Sequence, residues 1–192
     1  MFSFFSEKKF KITWQEIPSL GERIKDIYRH LTETFVLGFI GSIKTYGNSL
    51  ELENYKIETV HDVPELIHIL YGFQLCSTID FFKKHLNDDN GKLIELIESY
   101  MTTGKTNSQK KDINWYTKFK QLDSTKSRLS YLTSEIKKEF KLSNITQDFR
   151  LDNGINKIIG SMHHQVMMEL SVLFGDKKLA DKYMIKAAKG DL

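Results

Sequence analysis

The chain has 192 residues, of which 40% are hydrophobic, 12% aromatic and 28% charged, and its formal charge is +3. These proportions are typical of a folded globular protein and exclude collagen-like, proline-rich and disordered sequences. The single cysteine, Cys76, excludes an internal disulfide framework and a cysteine-based zinc cluster. The net charge is too small to indicate a polyanionic partner by itself.

The first segment, residues 1–17, is predicted to be an N-terminal arm, with an alternating pattern over 9–14 that favours an extended stretch. Its charged residues follow its apolar ones, which is not the order of a secretory signal. The longest apolar run, 35–43, has nine residues, whereas a membrane-spanning helix needs about 20. We therefore expect a cytoplasmic protein without a transmembrane segment, in agreement with its free thiol.

A capping-box pattern at Ser19 and Glu22 predicts the start of a long helix over 20–46. The second half of this helix is strongly apolar, so we expect it to be buried. Gly38 and Gly41 lie in that half and are expected to allow a close crossing with another helix.

The second helix is predicted over 62–86, with Asp62 as its cap and Pro64 in its first turn. Its apolar residues occupy nearly the whole circumference, which is typical of a helix at the centre of a bundle. The stretch before it, 49–60, is compatible with either a small hairpin or an irregular link.

The rest of the chain alternates helical patterns with polar connections. The segment 102–111 is polar and lacks apolar periodicity, so it is predicted to be a mobile loop. Further helices are predicted over 92–101, 113–122, 125–140, 154–174 and 176–188. The sequence therefore predicts one all-α domain over 1–192, a bundle of six to seven helices around a central apolar pair, with room for one short strand pair.

One group of residues has the composition of a metal site. Glu65 and His68 have the Glu-x-x-His spacing of carboxylate-bridged dimetal bundles, and the last long helix contributes His163 and His164. Within the predicted helices this spacing occurs only once. A metal-dependent helical-bundle enzyme is therefore an alternative hypothesis rather than the favoured one.

Glu169 is a charged residue on the predicted apolar face of the same helix. At 100° per residue it falls within the apolar stripe that contains Val166 and Leu170, whereas His163 lies at the edge of the stripe and His164 faces away. An ionised carboxylate on a buried face requires a partner. We therefore expect Glu169 to be buried and to bind a polar or basic group of another helix.

The segment 105–142 is basic, with ten lysine and arginine residues against four acidic ones. Basic groups interleaved with aromatic rings can bind phosphates and stack bases, but they also describe an amphipathic helix pair with a solvated face. Nucleic-acid contact is therefore a second alternative, through Lys110, Lys111, Trp115, Lys118, Lys120, Lys126 and Arg128.

The sequence shows no Gly-rich phosphate loop and no arrangement of Ser, His and Asp that indicates catalysis. The favoured interpretation is a non-catalytic helical protein that binds another macromolecule, as a regulator, an adaptor or chaperone, or an immunity-type inhibitor. A protein is the expected partner, no cofactor is expected, and the sequence is compatible with a homo-oligomer.

Overall fold

The computed structural model describes residues 10–49, 59–88, 91–140, 142 and 149–190. This part of the chain contains seven α-helices and no strand, which confirms the prediction of an all-α bundle. The helices are α1 (Ile17–Ser49), α2 (Pro64–His85), α3 (Lys92–Met101), α4 (Asn107–Lys120), α5 (Thr125–Glu139), α6 (Phe149–Leu173) and α7 (Lys177–Lys189).

Helix α2 lies at the centre of the bundle, as its sequence predicts. Fourteen of its 22 residues are buried, and it packs against α1, α3, α4, α5 and α6. Neighbours on this many sides explain why its apolar residues occupy nearly the whole circumference.

Helix α1 packs along α2 but is buried on one face only. Leu37 is 57% exposed, and a Cβ added at Gly38 or Gly41 would meet nothing within 4 Å. The expectation that these glycines allow a close crossing is therefore wrong. The close crossing occurs at Gly72 of α2, where an added Cβ would lie 2.6 Å from the backbone nitrogen of Tyr116 on α4.

Two buried hydrogen bonds join α1 to α2. The Tyr28 hydroxyl donates to Thr78 Oγ1 at 2.6 Å, and Thr32 Oγ1 donates to Gln74 Oε1 at 3.2 Å. All four side chains are buried, so these bonds offset the cost of removing their polar atoms from water.

The chain becomes helical earlier than predicted at its N-terminus. A 3-10 turn over Trp14–Glu16 precedes α1, and the Glu16 carboxylate accepts hydrogen bonds from the backbone and side chain of Thr13. Helix α1 follows at once, so the arm ends before residue 17 and Ser19 does not cap the helix. Pro18 is compatible with this start because its fixed φ suits the first helical turn.

The arm before this turn is held by the ends of two other helices. The Phe10 backbone nitrogen donates to the carbonyl oxygen of His85 at 2.7 Å, and its own carbonyl accepts from Asn87 at 2.8 Å. The Phe10 ring stacks on Phe174 with 4.6 Å between the ring centroids. The predicted extended stretch is thus present as a single bridge between Phe10 and Leu86, not as a strand.

The segment predicted to be a mobile loop over 102–111 is partly helical. Thr106 Oγ1 accepts from the Gln109 backbone, and the Gln109 side chain accepts from the Thr106 backbone. This reciprocal capping box starts α4 at Asn107, so only residues 102–106 connect α3 to α4.

Two further boundaries differ from the predicted ones. Asp62 accepts hydrogen bonds from the backbone and side chain of Thr59 and so closes a 3-10 turn, while α2 starts at Pro64. Helix α6 starts at Phe149 rather than 154. Most of the predicted link over 49–60 lies outside the described residues. Within the described ranges, no helix is both long enough and apolar enough to cross a bilayer.

The crossing at Gly72 makes a testable prediction. Gly72→Ala should destabilise the protein by about 1–3 kcal/mol, because the added methyl group forces α4 away from α2. Gly38→Ala is the matched control: its added methyl group meets nothing, so it should stabilise the helix by about 0.5–1 kcal/mol. Urea unfolding of both variants measures the difference. Equal effects at the two glycines would show that α2 and α4 do not cross closely.

Candidate functional site

A cleft of about 290 Å³ lies between α1 and α4, over one face of α2. We call it the α1–α4 cleft. Met101 and Thr103 border it at the end of α3. The residues that line it from the three longer helices are Lys25, Tyr28 and Arg29 of α1, Ile67, His68, Tyr71 and Leu75 of α2, and Ser108, Gln109, Asp112 and Ile113 of α4.

A histidine–carboxylate pair lies within this lining. His68 Nδ1 is 2.7 Å from Asp112 Oδ1, and both side chains are largely shielded from solvent. Burial raises the pKa of Asp112, and the hydrogen bond and charge of His68 oppose that rise. An ionised carboxylate can only accept hydrogen bonds, so in the neutral ring the proton lies on Nδ1 and Nε2 is an acceptor.

Tyr71 follows His68 by one helical turn and is half-buried in the same lining. Burial and the nearby charge of Asp112 raise the pKa of Tyr71 to about 12, so its hydroxyl stays protonated at neutral pH. The Tyr71 ring contacts Tyr28 edge to face, with 5.9 Å between centroids. This contact restricts the ring orientation and keeps the hydroxyl group in a defined region.

Two cations from α1 border the cleft, four residues apart on one helix face. Lys25 Nζ lies 2.9 Å from Glu22 and 4.9 Å from the centroid of the Tyr100 ring. Arg29 lies 3.3 Å from Asp26, and both side chains of that pair are well exposed. Ion pairs of this kind contribute about 0–1 kcal/mol, so a bound anion can compete for both cations.

The cleft therefore combines three kinds of group. Lys25 and Arg29 supply positive charge, the polar side chains supply hydrogen-bonding groups, and the apolar side chains supply the larger part of the exposed area. Among the described residues, no hydroxyl or thiol is hydrogen-bonded to His68. The thiol of Cys76 is buried and directed to the carbonyl oxygen of Tyr116, and burial raises its pKa to about 12.

Glu65, the predicted partner of His68 in a metal site, binds α4 instead. Its carboxylate accepts from Trp115 Nε1 at 2.7 Å and from Lys111 Nζ at 3.0 Å. Burial favours the neutral acid, but the hydrogen bonds from Trp115 and Lys111 outweigh it and hold the pKa of Glu65 below its usual value.

The two histidines of α6 do not lie beside His68. His163 Nδ1 is 2.9 Å from Ser77 Oγ, and Ser77 lies nine residues beyond His68, about 13 Å along α2. The described ranges contain no group of three or more His, Cys, Asp or Glu side chains that could hold a metal ion. The structure thus does not bring His163 or His164 together with Glu65 and His68.

The orientation of α6 differs from the predicted one. His164 is only 5% exposed and its ring stacks on Tyr183 of α7, with 5.9 Å between centroids, so it does not face away. Glu169 is half-buried rather than buried, and no described residue forms a hydrogen bond or ion pair with it. The physical reason is that α7 packs against the His164 side of α6, which moves the buried face away from Glu169.

The basic residues of α4 and α5 are largely engaged with neighbouring groups. Trp115 is 6% exposed, and Lys118 Nζ lies 3.7 Å from the centroid of its ring. Lys120 forms an ion pair with Glu98, and Arg128 NH1 lies 2.6 Å from Asp80. Of the remaining predicted residues, Lys111 binds Glu65, while Lys110 and Lys126 are exposed.

Sequence reasoning missed Asp112, Tyr71, Lys25 and Arg29. The available signal was the position of Asp112, which shares one face of α4 with the buried Trp115 and lies three residues before it. That signal is invisible when the helix is predicted to begin at 113, because Asp112 then belongs to a connection.

Comparison with protein-family models, curated proteins and solved structures finds no match to this chain. The function is therefore inferred from the residues of the chain itself.

The basic segment makes a prediction about nucleic acid. Because Trp115 is buried and half of the basic residues are paired, a fluorescent DNA duplex should bind weakly, and binding should vanish by about 200 mM salt. Fluorescence anisotropy measures this. Binding that persists above that salt concentration, and is lost when Lys110 and Lys126 are changed to Glu, would instead establish this surface as a nucleic-acid interface.

The half-buried His163 predicts a pH dependence of stability. Burial, together with His164 and Lys186, lowers the pKa of His163 from 6.5 to about 4 in the folded protein. The unfolded chain therefore binds a proton more readily, so the free energy of unfolding should decrease by up to about 3 kcal/mol as pH falls from about 6.5 to about 4.

Urea unfolding across this pH range, in the wild type and in His163→Gln, measures that contribution. His163→Gln should show a smaller loss of stability between the two pH values. His30→Gln, at an exposed histidine of α1, is the control and should keep the wild-type pH dependence. An unchanged dependence in His163→Gln would show that the folded protein does not disfavour the charged form of His163.

Proposed function

We propose that this chain is a binding protein and that the α1–α4 cleft is its site for a small organic molecule. The observation that carries the proposal is the His68–Asp112 pair, held at 2.7 Å within a cavity next to Tyr71. Pockets for small molecules are mostly apolar and contain polar groups that orient the ligand, and in this cleft too the apolar part of the exposed area is the larger one.

The size of the cleft restricts the ligand. Its volume of about 290 Å³ is close to the lower limit of about 300 Å³ for ligand pockets. The proposed ligand is therefore compact, of the size of one ring with short substituents, and not an extended cofactor.

Binding is favoured over catalysis because no nucleophilic hydroxyl or thiol among the described residues is paired with His68. The imidazole of His68 is oriented by Asp112, as in a general base, but no described hydroxyl or thiol is hydrogen-bonded to it. Nucleophilic catalysis requires a nucleophile within reach of such a base. The proposed role of the pair is accordingly to present a fixed acceptor to a ligand.

The other functional expectations from the sequence stay predictions. These are a macromolecular partner, a role as regulator, adaptor, chaperone or inhibitor, a cytoplasmic location and a homo-oligomeric state. A small ligand in the cleft is compatible with each of them, since a regulator can respond to a ligand and bind a protein through another surface.

A fragment screen followed by amide NMR shifts tests the proposal. Fragments of about ten heavy atoms should bind with dissociation constants on the order of 1 mM, and the shifts should concentrate on residues that line the cleft. Ile67→Trp, at a half-buried lining position, should fill the cleft and abolish these shifts.

Leu37→Trp is the matched control, because Leu37 is exposed on α1 and does not line the cleft. It should leave fragment binding intact. Shifts that concentrate on another surface, or survive in Ile67→Trp, would overturn the assignment of the cleft as the binding site.

A further inference from the structure

The geometry of the lining points to a chemical class of ligand, an inference that rests on the proposed function of the cleft. We propose that the α1–α4 cleft takes a compact monoanion with a hydroxyl group: a carboxylate held by Lys25 and Arg29, an apolar middle, and a hydroxyl that donates to His68 Nε2.

The anionic end is assigned from the charges of the lining. Among its described residues, the lining contains two cations, Lys25 and Arg29, and one carboxylate, Asp112. His68 satisfies that carboxylate at 2.7 Å, so the cations are the charges available to a ligand. Their present partners, Glu22 and Asp26, lie on exposed parts of α1 and are displaced at small cost.

A ligand with one negative charge suits the cleft better than a ligand with two. Glu22 and Asp26 stay close to the cations even when a ligand displaces them, and they repel additional negative charge. A planar carboxylate also matches the fork of the Arg29 guanidinium, which can donate two parallel hydrogen bonds.

The hydroxyl end is assigned from the tautomer of His68. In the neutral ring Asp112 holds the proton on Nδ1, so Nε2 is an acceptor, and it has no hydrogen-bond partner among the described residues. A ligand hydroxyl can donate to Nε2 and accept from Tyr71, whose own hydroxyl stays protonated because burial raises its pKa.

The apolar middle is assigned from the apolar side chains of the same lining. Ile67, Leu75 and Ile113 line the cleft together with the ring of Tyr28. A flat ring or a short branched chain buries apolar surface against such side chains, which favours binding.

Three matched probes test the inference: 4-hydroxyphenylacetate, phenylacetate, which lacks the hydroxyl, and 4-hydroxyphenylacetamide, which lacks the charge. NMR titration gives each dissociation constant. The first probe should bind about ten-fold more tightly than the amide and about three- to ten-fold more tightly than phenylacetate, as expected for one charged and one neutral hydrogen bond.

Substitutions test which residue produces each difference in affinity between the probes. In the double variant Lys25→Gln and Arg29→Gln, the preference for the carboxylate over the amide should disappear. Arg23→Gln is the matched control, since Arg23 is an exposed cation of α1 outside the cleft, and it should keep that preference. In His68→Phe the preference for the hydroxyl should disappear, while the preference for the carboxylate shows that the variant is folded.

The possible outcomes distinguish a failure of the inference about the ligand from a failure of the proposed binding site. If all three probes bind in the cleft with equal affinity, the cleft is a binding site but the inference about the ligand is wrong. If other fragments bind in the cleft and none of these probes does, the inference is likewise wrong. The inference is overturned if the carboxylate preference survives in the double variant or the hydroxyl preference survives in His68→Phe. Either result would show that the assigned residues do not determine which ligand binds.

Discussion

The close approach of α4 to α2 at Gly72 determines where the residues of the cleft lie. Any side chain at this position would overlap the backbone of Trp115 and Tyr116. Because the two helices touch here, the first turns of α4 are carried next to the first turns of α2. Asp112 and His68 lie in those turns, and their separation of 2.7 Å follows from this contact.

The contact belongs to a continuous line of interactions along one face of α2. Glu65, His68, Gly72 and Cys76 are spaced three or four residues apart, as positions on one helix face are, and each contacts α4. Each carboxylate oxygen of Glu65 accepts one hydrogen bond from α4, and Cys76 is buried. His68 is the member of this line that also borders a cavity, so it can interact with both the scaffold and a ligand.

The sequence predicts the architecture but does not predict which residues of different helices contact each other. The central position of α2 could be predicted because its apolar residues leave no polar face, and the bounds of α3 follow directly from the local pattern. The start of α4 was missed because Thr106 and Gln109 look like loop residues until their reciprocal hydrogen bonds are seen.

The errors on α6 have a different origin. A helical wheel locates an apolar stripe but does not show which neighbour packs beside it. Helix α7 covers the side that contains His164 and leaves Glu169 at the margin. In the same way, the pairing of His68 with Asp112 joins residues 44 positions apart, and no local pattern encodes which distant residue a side chain meets.

The hydrogen bonds between α1 and α2 have a consequence for the uniqueness of the fold. Apolar side chains tolerate many alignments of two helices, since one hydrocarbon surface can replace another. Sliding α1 by one turn, about 5.4 Å, would remove Tyr28 from Thr78 and Thr32 from Gln74 and leave four polar groups against hydrocarbon. The bonds therefore select a single alignment, and with it a single set of α1 side chains, Arg29 among them, at the mouth of the cleft.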